Sequence, residues 1–404
     1  MEVLQETYKD TKIGRIPMDW ELLSVEKCIL KKKFSVGKLP KKDYFKEGRF
    51  PIIDQSKTFI IGYSSHSELL YNGNLPAIIY GDHTNHVKYI NFPFICGADG
   101  VKIIQPLDEL DNKFVYYSIL YRKPQSEGYK RHFSILKEKH LCIPPLPEQQ
   151  KIVAILSTVD EQISTTDKII EKSKDLKKGL MQKLFSEGIG HTEFKDTKIG
   201  RIPKDWDLEK LNKNVLKVGS GVTPKGGSSV YLKEGIPLIR SQNVLYGKLQ
   251  LNGVACIDEL QYKKMKNSQL QENDVLLNIS GASIGRSGVV FKNILPANVN
   301  QHVCIIRTTE RINASYLSTY LISNGGQNQI FRLQAGGNRE GLNFQHIRSF
   351  KIPLPPVSEQ QKIAAIFSEA DAKIEKEQNQ KSQLKALKKG LMQQLLTGKK
   401  RVKV

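Results

Sequence analysis

The chain has 404 residues, of which 39% are hydrophobic and 8% aromatic, so it has enough apolar material for two or three domains and is not wholly disordered. Lys and Arg number 62 against 41 Asp and Glu, and this net charge of +21 favours nucleic acid as partner, with a membrane surface as the alternative. No apolar run approaches the ~20 residues that cross a bilayer, and the polar start does not resemble a signal peptide. The five cysteines lack metal-type spacing, so we expect a reduced, cytoplasmic protein without disulfides or a metal site.

Internal repetition is the strongest signal in the sequence. Residues 8–20 (YKDTKIGRIPMDW) match residues 194–206 (FKDTKIGRIPKDW) at eleven of thirteen positions. Residues 148–185 match residues 359–396 at 19 of 38 positions. We therefore predict two similar units, each with a nearly constant opening segment, a divergent middle and a nearly constant tail.

The two divergent middles have the pattern of α+β domains. Short β-type runs are separated by Gly, Asn, Asp and Pro, and each set is followed by a helical pattern, near 112–121 and 313–323. The predicted strands are 51–53, 59–61, 77–80, 87–95 and 101–104 in the first middle, and 236–240, 274–279, 288–291 and 303–307 in the second. Segments such as RFPII (49–53) and GIPLI (235–239) align, so the two middles are distant copies of one another.

The constant tails are predicted to be long amphipathic helices. Both follow proline-rich segments and end just before a glycine, Gly188 or Gly398, with apolar residues at steps of three and four. A helix of 38 residues is about 57 Å long, and its single apolar stripe needs a partner. We expect the two helices to pair antiparallel with the globular units at opposite ends. The alternative is that each helix packs only on its own domain.

The predicted fold class is therefore α+β, with a pseudo-two-fold internal repeat. Two β-rich α+β domains, 1–147 and 188–358, each include a repeated opening segment. Two long antiparallel coiled-coil helices, 148–187 and 359–397, join them, and a basic tail, 398–404, follows. The helical segments carry nearly balanced charge, so most of the positive charge lies outside them.

Polar clusters that follow the predicted strands are the candidate DNA-binding residues. Arg suits guanine, and Asn or Gln suits adenine, in the major groove, although a solvated turn explains any single residue equally well. In the first domain the candidates are Gln55, Ser56, Asp82, His83, Thr84, Asn85, Lys130 and Arg131. In the second they are Arg240, Ser241, Gln242, Asn243, Ser283, Arg286, Gln301, His302, Asn338 and Arg339.

No catalytic or nucleotide-binding motif is complete. The segment 219–224 (GSGVTP) begins like a dinucleotide loop but has proline where the third glycine belongs, and no phosphate-loop pattern occurs. These absences favour a binding protein. The open alternatives are a nonspecific nucleic-acid-binding scaffold and an enzyme with its own methyltransferase or nuclease site.

Over nearly its whole length the chain resembles the specificity subunit of type I restriction–modification systems. The resemblance rests on the duplicated IGRIPxDW segments (13–20, 199–206), the IPPLPEQQKIVAIL and IPLPPVSEQQKIAAIF segments, and the paired LKKGLMQ endings. It implies two target recognition domains that each read half of a bipartite double-stranded DNA site. The chain itself would be non-catalytic and bind no cofactor.

The resemblance also implies partner subunits. Two methyltransferase subunits would dock on the helices and flanking regions, bind S-adenosylmethionine and modify an adenine in each half-site. Restriction subunits would add ATP- and Mg²⁺-dependent cleavage.

Overall fold

The computed structural model describes residues 7–31, 39–97, 100–125, 131–224, 226–334 and 341–403. Its contacts divide the chain into unit 1, Met1–Lys168 with Asn379–Val404, and unit 2, Ile169–Gln378. Each long helix is therefore shared: its first half belongs to one unit and its second half to the other.

Unit 1 is built from small sheets beside the long helices. Its strands are β1 (Tyr8–Thr11), β2 (Gly14–Pro17), β3 (Glu21–Ser24), β4 (Phe50–Ile53), β5 (Gly62–Ser64), β6 (Ala77–Gly81), β7 (Val87–Ile90), β8 (Ile95–Cys96), β9 (Val101–Ile104) and β10 (His140–Ile143). Its helices are α1 (Asn112–Arg122), α2 (Phe133–Glu138) and the first half of α3 (Leu146–Glu187). The sheet orders are β5-β4-β8 and β7-β6-β9, with separate pairs β1-β2 and β3-β10, and only β4 and β8 run parallel among these described strands.

Unit 2 repeats this plan with additions. Its strands are β11 (Phe194–Thr197), β12 (Gly200–Pro203), β13 (Asp207–Lys210), β14 (Val215–Ser220), β15 (Ile236–Ile239), β16 (Ala255–Ile257), β17 (Val275–Asn278), β18 (Ser287–Val289), β19 (Asn298–Val299), β20 (Val303–Thr308) and β21 (Lys351–Leu354). Its helices are α4 (Glu259–Lys264), α5 (Ala314–Ile322), α6 (Asn324–Gln334), α7 (Phe344–Arg348) and the first half of α8 (Val357–Leu395). The sheet orders are β14-β20-β17-β18 and β16-β15-β19, and β15 and β19 run parallel.

The α+β fold class with an internal repeat is confirmed. β4, β5 and β8 of unit 1 correspond to β15, β16 and β19 of unit 2, and the β7-β6-β9 sheet corresponds to β18-β17-β20. The predicted strand at 59–61 is wrong, because the chain bends there and β5 begins at Gly62. The carbonyls of Thr58 and Phe59 turn inward and accept hydrogen bonds from the buried Lys88 Nζ, at 2.6 and 3.4 Å, instead of joining a ladder.

The long helices α3 and α8 pair antiparallel in both units. In unit 1, Asp160 contacts Lys388 at 2.6 Å, and Asp167 pairs with Lys381. In unit 2, Lys177 contacts Asp371 at 2.5 Å. From one ion pair to the next, the residue number rises along α3 by the same amount as it falls along α8. The three ion pairs therefore belong to one register.

The start of each long helix is held by a buried tryptophan from the repeated opening segment. The indole N–H of Trp20 donates to Glu148 Oε2 at 3.1 Å, and that of Trp206 donates to Glu359 Oε2 at 3.1 Å. Both tryptophans are fully buried. The duplicated tryptophans and glutamates thus connect the opening segments to the helices in the same way twice.

A residue that follows the other helix completes each of these clusters. In unit 1, Arg401 follows α8 and contacts Glu148 at 2.8 Å and Asp19 at 2.8 Å. In unit 2, His191 follows α3 and lies 3.0 Å from Glu359. The segment 379–403 is therefore part of the folded unit 1.

Each unit has its own apolar core. The unit 1 core joins α1, β3, β10 and both long helices, and the unit 2 core joins α5, β17, β20 and both long helices. The five cysteines are buried and free, and burial raises the pKa of the Cys28 and Cys96 thiols to about 12. Within the described ranges, no helix has the length and apolar character that a membrane span requires.

Candidate nucleic-acid interface

In unit 2, the loops that follow four strands meet at one edge of the domain. Backbone bonds hold them together: the N–H of Asn300 donates to the Ile239 carbonyl, and the N–H of Gly221 donates to the Asn300 carbonyl, both at 3.1 Å. A Cβ at Gly221 would lie 1.7 Å from the carbonyl oxygen of Val299, so only glycine permits this approach. We call the set of residues 221–224, 240–243, 278–286 and 300–302 the unit 2 edge.

A row of polar side chains lies on the unit 2 edge. Ser280 Oγ lies 2.5 Å from His302 Nδ1, and His302 Nε2 lies 3.0 Å from the side-chain nitrogen of Gln301. The Thr223 hydroxyl donates to the Gln301 side-chain oxygen. Gln301 and His302 are exposed, so the row has donors and acceptors that face outward.

Arg240 combines ring stacking with an unused hydrogen-bond donor on the unit 2 edge. Its guanidinium stacks over Tyr231, 5.1 Å from the ring centroid. Its Nε is buried without a hydrogen-bond partner among the described residues. A stacked guanidinium with an unpaired Nε suits contact with an acceptor such as guanine O6 or N7.

The neighbours of Arg240 divide into exposed and structural residues. Gln242 is exposed, whereas Asn243 is only 3% exposed and its side chain bridges the Arg240 N–H and the Gln250 carbonyl, both at 3.0 Å. The Ser241 carbonyl accepts a hydrogen bond from Asn278 Nδ2 at 2.8 Å. Asn243 therefore shapes the turn from inside the unit and presents Arg240 and Gln242.

Ser283 and Arg286 lie in the loop that follows β17. Both are half-buried, and the Arg286 guanidinium lies 5.8 Å from the ring centroid of Tyr246, which is 57% exposed. Asn338 and Arg339 lie outside the described residues, as does Lys130 of the first domain. The edge thus brings together seven of the eight described candidates in unit 2 on its surface, with Asn243 beneath them.

Unit 1 has the corresponding edge, formed by residues 54–57, 81–86 and 131–132. Gln55 joins two of its loops: its Oε1 accepts the His83 N–H at 3.1 Å, and its carbonyl accepts the Thr84 hydroxyl. Ser56 caps the same turn through Asp54 Oδ1, at 2.6 Å from its hydroxyl. Arg131 is exposed and directly precedes His132, whose N–H donates to the Asp82 carbonyl of this edge at 2.8 Å.

Two candidates of unit 1 are buried and have structural contacts. Asp82 is 4% exposed, and its Oδ1 accepts the N–H of Phe133 at 2.9 Å at the start of α2. Asn85 is 4% exposed and has a positive φ of 60°, and its Oδ1 accepts the Tyr80 hydroxyl at 2.5 Å. These two side chains hold the turn that presents His83 and Thr84.

The field at the unit 1 edge is positive. Burial, followed by the charges of Lys123, Lys88 and Lys57, lowers the pKa of His86. The acids of this edge are already engaged, since Asp82 lies 3.7 Å from Lys102 and Asp54 lies 3.7 Å from Lys88. Such a surface attracts phosphates.

A basic cleft of unit 2 lies between α3, α8 and the loop that contains Tyr246. It has a volume of about 560 Å³ and is lined by Lys174, Lys177, Lys178 and Lys248 on its basic side. Asp371 and Glu375 also line it, and Asp371 neutralises Lys177. No group of three or more His, Cys, Asp or Glu suited to a metal ion occurs in the part of the chain that the structure describes.

Sequence reasoning identifies the loops but misses several of their residues. Thr223 and Tyr231 are not among the predicted residues, although Thr223 lies in the Gly/Ser-rich segment that follows a strand. His86 is also missed. The signal that identifies them is their position directly after, or packed against, the strand ends that carry the other candidates.

Comparison with known proteins gives one consistent result. The family described as the type I restriction modification DNA specificity domain matches residues 29–174 and 203–386. The MjaVIII specificity subunit of a type I restriction enzyme from Methanocaldococcus jannaschii is 29% identical over 422 residues, covering 99% of this chain and 97% of its own length. The EcoR124I/EcoR124II specificity subunit of Escherichia coli is 24% identical and covers 82% of this chain and 81% of its own.

Solved structures show the same fold. The crystal structure of a type I restriction-modification S subunit from M. genitalium matches with a TM-score of 0.61 at 18% identity, covering 93% of this chain and 96% of its own. A chain from a structural study of complex assembly and conformational transition in a type I R-M system matches with a TM-score of 0.55 at 15% identity, covering 95% and 99%.

Proposed function

Because the chain belongs to the type I restriction–modification DNA specificity family, we propose that its two edges each read one half of a bipartite DNA site. The chain is the non-catalytic specificity subunit, and it determines which DNA sequence its complex modifies. The observation that carries the assignment of the edges is the convergence of Arg240, Gln301 and His302 at one end of the unit 2 sheets, matched by an equivalent edge in unit 1.

The two edges differ in chemistry although their strands correspond. Unit 2 presents Arg240 over Tyr231 beside exposed amides, whereas unit 1 presents His83, Thr84 and Arg131 in a field of lysines. Two different sets of donors and acceptors on one scaffold suit two different half-sites. A nonspecific scaffold would need only the positive charge.

The partners follow from the family. Specificity subunits of type I systems assemble with methyltransferase and restriction subunits and bind DNA. We propose a stoichiometry of two methyltransferase subunits per chain, one for each unit, because the opening segments and helix ends are duplicated. We further propose that S-adenosylmethionine, ATP and Mg²⁺ bind to those partners and that this chain holds no cofactor.

The test uses one arginine from each edge. The complex with the methyltransferase subunit is assembled with wild-type chain, Arg240→Ala or Arg131→Ala, and adenine methylation is mapped by sequencing on a DNA library. We expect wild type to methylate one bipartite sequence. Arg240→Ala should relax one half-site, with a loss of about 1–3 kcal/mol in discrimination, and Arg131→Ala should affect only the other half.

Each variant is the matched control for the other, since both remove one arginine and one positive charge. Equal weakening on all sequences by both variants would instead support the nonspecific scaffold. Methyl transfer by the purified chain alone would contradict its non-catalytic role.

A further inference from the structure

The polar row of the unit 2 edge connects three loops through side-chain hydrogen bonds. Its members are Thr223, which follows β14, Ser280, which follows β17, and Gln301 with His302, which precede β20. At the centre of the row, the amide of Gln301 has a partner at each end: the Thr223 hydroxyl at Oε1 and His302 Nε2 at Nε2. An exposed glutamine is otherwise free to change rotamer, and holding it in one orientation lowers the entropy that binding a ligand costs.

The backbone beneath the polar row is also held in place. The N–H of His302 donates to Asn300 Oδ1 at 3.2 Å, and Asn300 is only 6% exposed. The Asn300 carbonyl accepts the N–H of Gly221, two residues before Thr223. Backbone and side-chain bonds therefore both join the loop of Thr223 to the loop of Gln301, and the amide lies between two supported partners.

The hydrogen bonds of the row leave a defined pair of positions on the Gln301 amide. An amide oxygen accepts two hydrogen bonds, and an amide nitrogen donates two. Thr223 takes one position on the oxygen and His302 takes one on the nitrogen, and these are the hydrogen bonds of this amide within the described residues. Exchanging the oxygen and the nitrogen reverses the direction of each bond but leaves the same pair. Gln301 therefore presents one acceptor position and one N–H to a ligand.

One acceptor beside one donor matches adenine in the major groove. Adenine has N7 as an acceptor and the N6 amino group as a donor, whereas guanine has two acceptors, O6 and N7. A phosphate would use donors alone and is commonly held by lysine or arginine, and none of the four side chains in the row is either. The chemistry of the row thus favours a base edge over the DNA backbone.

We propose that Gln301 reads one adenine of the unit 2 half-site and that Thr223 and His302 are positioning residues that fix its amide. This inference rests on the proposed function and adds the base and the residues that select it. Gln301 Oε1 accepts from the N6 amino group of this adenine, and Gln301 Nε2 donates to its N7. Thr223 and His302 act through Gln301, so removing either one should affect the same base pair as removing Gln301 itself.

The experiment compares variants of the polar row in the complex with the methyltransferase subunit. Methylation is mapped by sequencing on a DNA library, for wild type and for Gln301→Ala, Thr223→Val, His302→Ala and Thr223→Ser. We expect Gln301→Ala to lower the preference for one A·T pair in one half-site by about tenfold. Thr223→Val and His302→Ala should relax the same pair by a smaller factor, whereas Thr223→Ser keeps the hydroxyl and should behave as wild type. These positions are exposed, so melting temperatures should stay close to that of wild type.

A positioning role also predicts that the effects do not add. Thr223→Val should change nothing further in a chain that already carries Gln301→Ala, because no amide is left to orient. The matched control is Gln271→Ala, which removes an exposed glutamine of unit 2 outside the edge and should leave the preference at every position unchanged.

A modified base tests the contact itself. In 7-deazaadenine a carbon replaces N7, so the acceptor is lost while base pairing is retained. DNA with this base at the identified adenine should bind the wild-type complex about tenfold more weakly than unmodified DNA, and it should bind the Gln301→Ala complex as well as unmodified DNA does.

Three results would overturn the inference and leave the proposed function intact. They are a Gln301→Ala complex with wild-type preference throughout or with relaxation at a G·C pair, relaxation of a different pair by Thr223→Val, and equal weakening on all sequences, which would indicate a phosphate contact. Wild-type affinity for the 7-deazaadenine DNA would also contradict the assignment to adenine N7. A wild-type complex that methylates no defined bipartite sequence would instead contradict the proposed function.

Discussion

The pKa of His86 depends on the charges at the unit 1 edge. Its pKa is lowered, first by burial and then by Lys123, Lys88 and Lys57. Phosphates bound at this edge would offset the lysine charges and raise the pKa towards its ordinary value of 6.5. A histidine with a higher pKa in the bound state takes up a proton on binding, so affinity increases as pH falls.

We therefore expect the complex to bind its DNA site more tightly as the pH is lowered from about 7 to about 5.5, and His86→Gln to lose this dependence. The measurement is the dissociation constant at fixed ionic strength. His140→Gln is the control, because the pKa of His140 is also lowered, first by burial and then by Lys12, but this residue lies in β10, outside the edge. A pH dependence that persists in His86→Gln would contradict the assignment.

The sequence predicts which loops form the two edges better than it predicts the contacts of the individual side chains in them. Polar residues directly after strands identify both edges. However, the same residue types cap helices and bridge turns, and Asp82, Asn85 and Asn243 do so from buried positions. Burial depends on which element packs over the loop, and that information lies in residues distant in sequence, such as Phe133 at the start of α2.

Among the elements, the segment after α8 has the clearest role in stability. Arg401 contacts Glu148, whose side chain is 1% exposed, and Asp19. Hydrogen bonds to Glu148 are the largest cause that raises the pKa of Arg401. Because a raised basic pKa stabilises the fold at every pH below the unfolded value, this contribution persists throughout the neutral range.

Arg401→Ala leaves the Glu148 carboxylate without its cationic partner, and we expect it to lower the free energy of unfolding by about 3 kcal/mol. Urea denaturation of the full chain measures this loss. The control is Arg15→Ala, an arginine that is 71% exposed, for which we expect a change within about 0.5 kcal/mol. Equal stability of the two variants would contradict this role of Arg401.

Apolar periodicity predicts the long helices, and their duplication predicts the antiparallel pairing. The predicted starts, Glu148 and Glu359, are two residues later than the observed starts, Leu146 and Val357. The first helix starts earlier because it accepts Pro147 in its first turn. Backbone N–H groups in the first turn make no hydrogen bond within the helix, so proline, which has no N–H, costs none there. The contact of Arg401 with Glu148 could not be predicted, since it joins residues distant in sequence.

For the whole molecule, the helix pair is the element that we expect to set the gap in the DNA site. The ion pairs keep one register, and the repeat relates Asp160–Lys388 to Asp371–Lys177. The point midway between these two repeat-related ion pairs lies just after Lys168 in α3 and just after Asn379 in α8. Four helical residues inserted after Lys168 and four after Asn379 therefore leave every one of these ion pairs intact.

We expect this double insertion to lengthen the helix pair by about 6 Å and to widen the preferred gap by about two base pairs, while both half-site sequences stay unchanged. Sequencing of methylated adenines in a library with variable gaps measures both properties at once. Inserting the four residues in α3 alone is the control, because it shifts one helix against the other and should abolish methylation at every gap. A changed half-site sequence together with an unchanged gap would show that the length of the helix pair does not set the spacing.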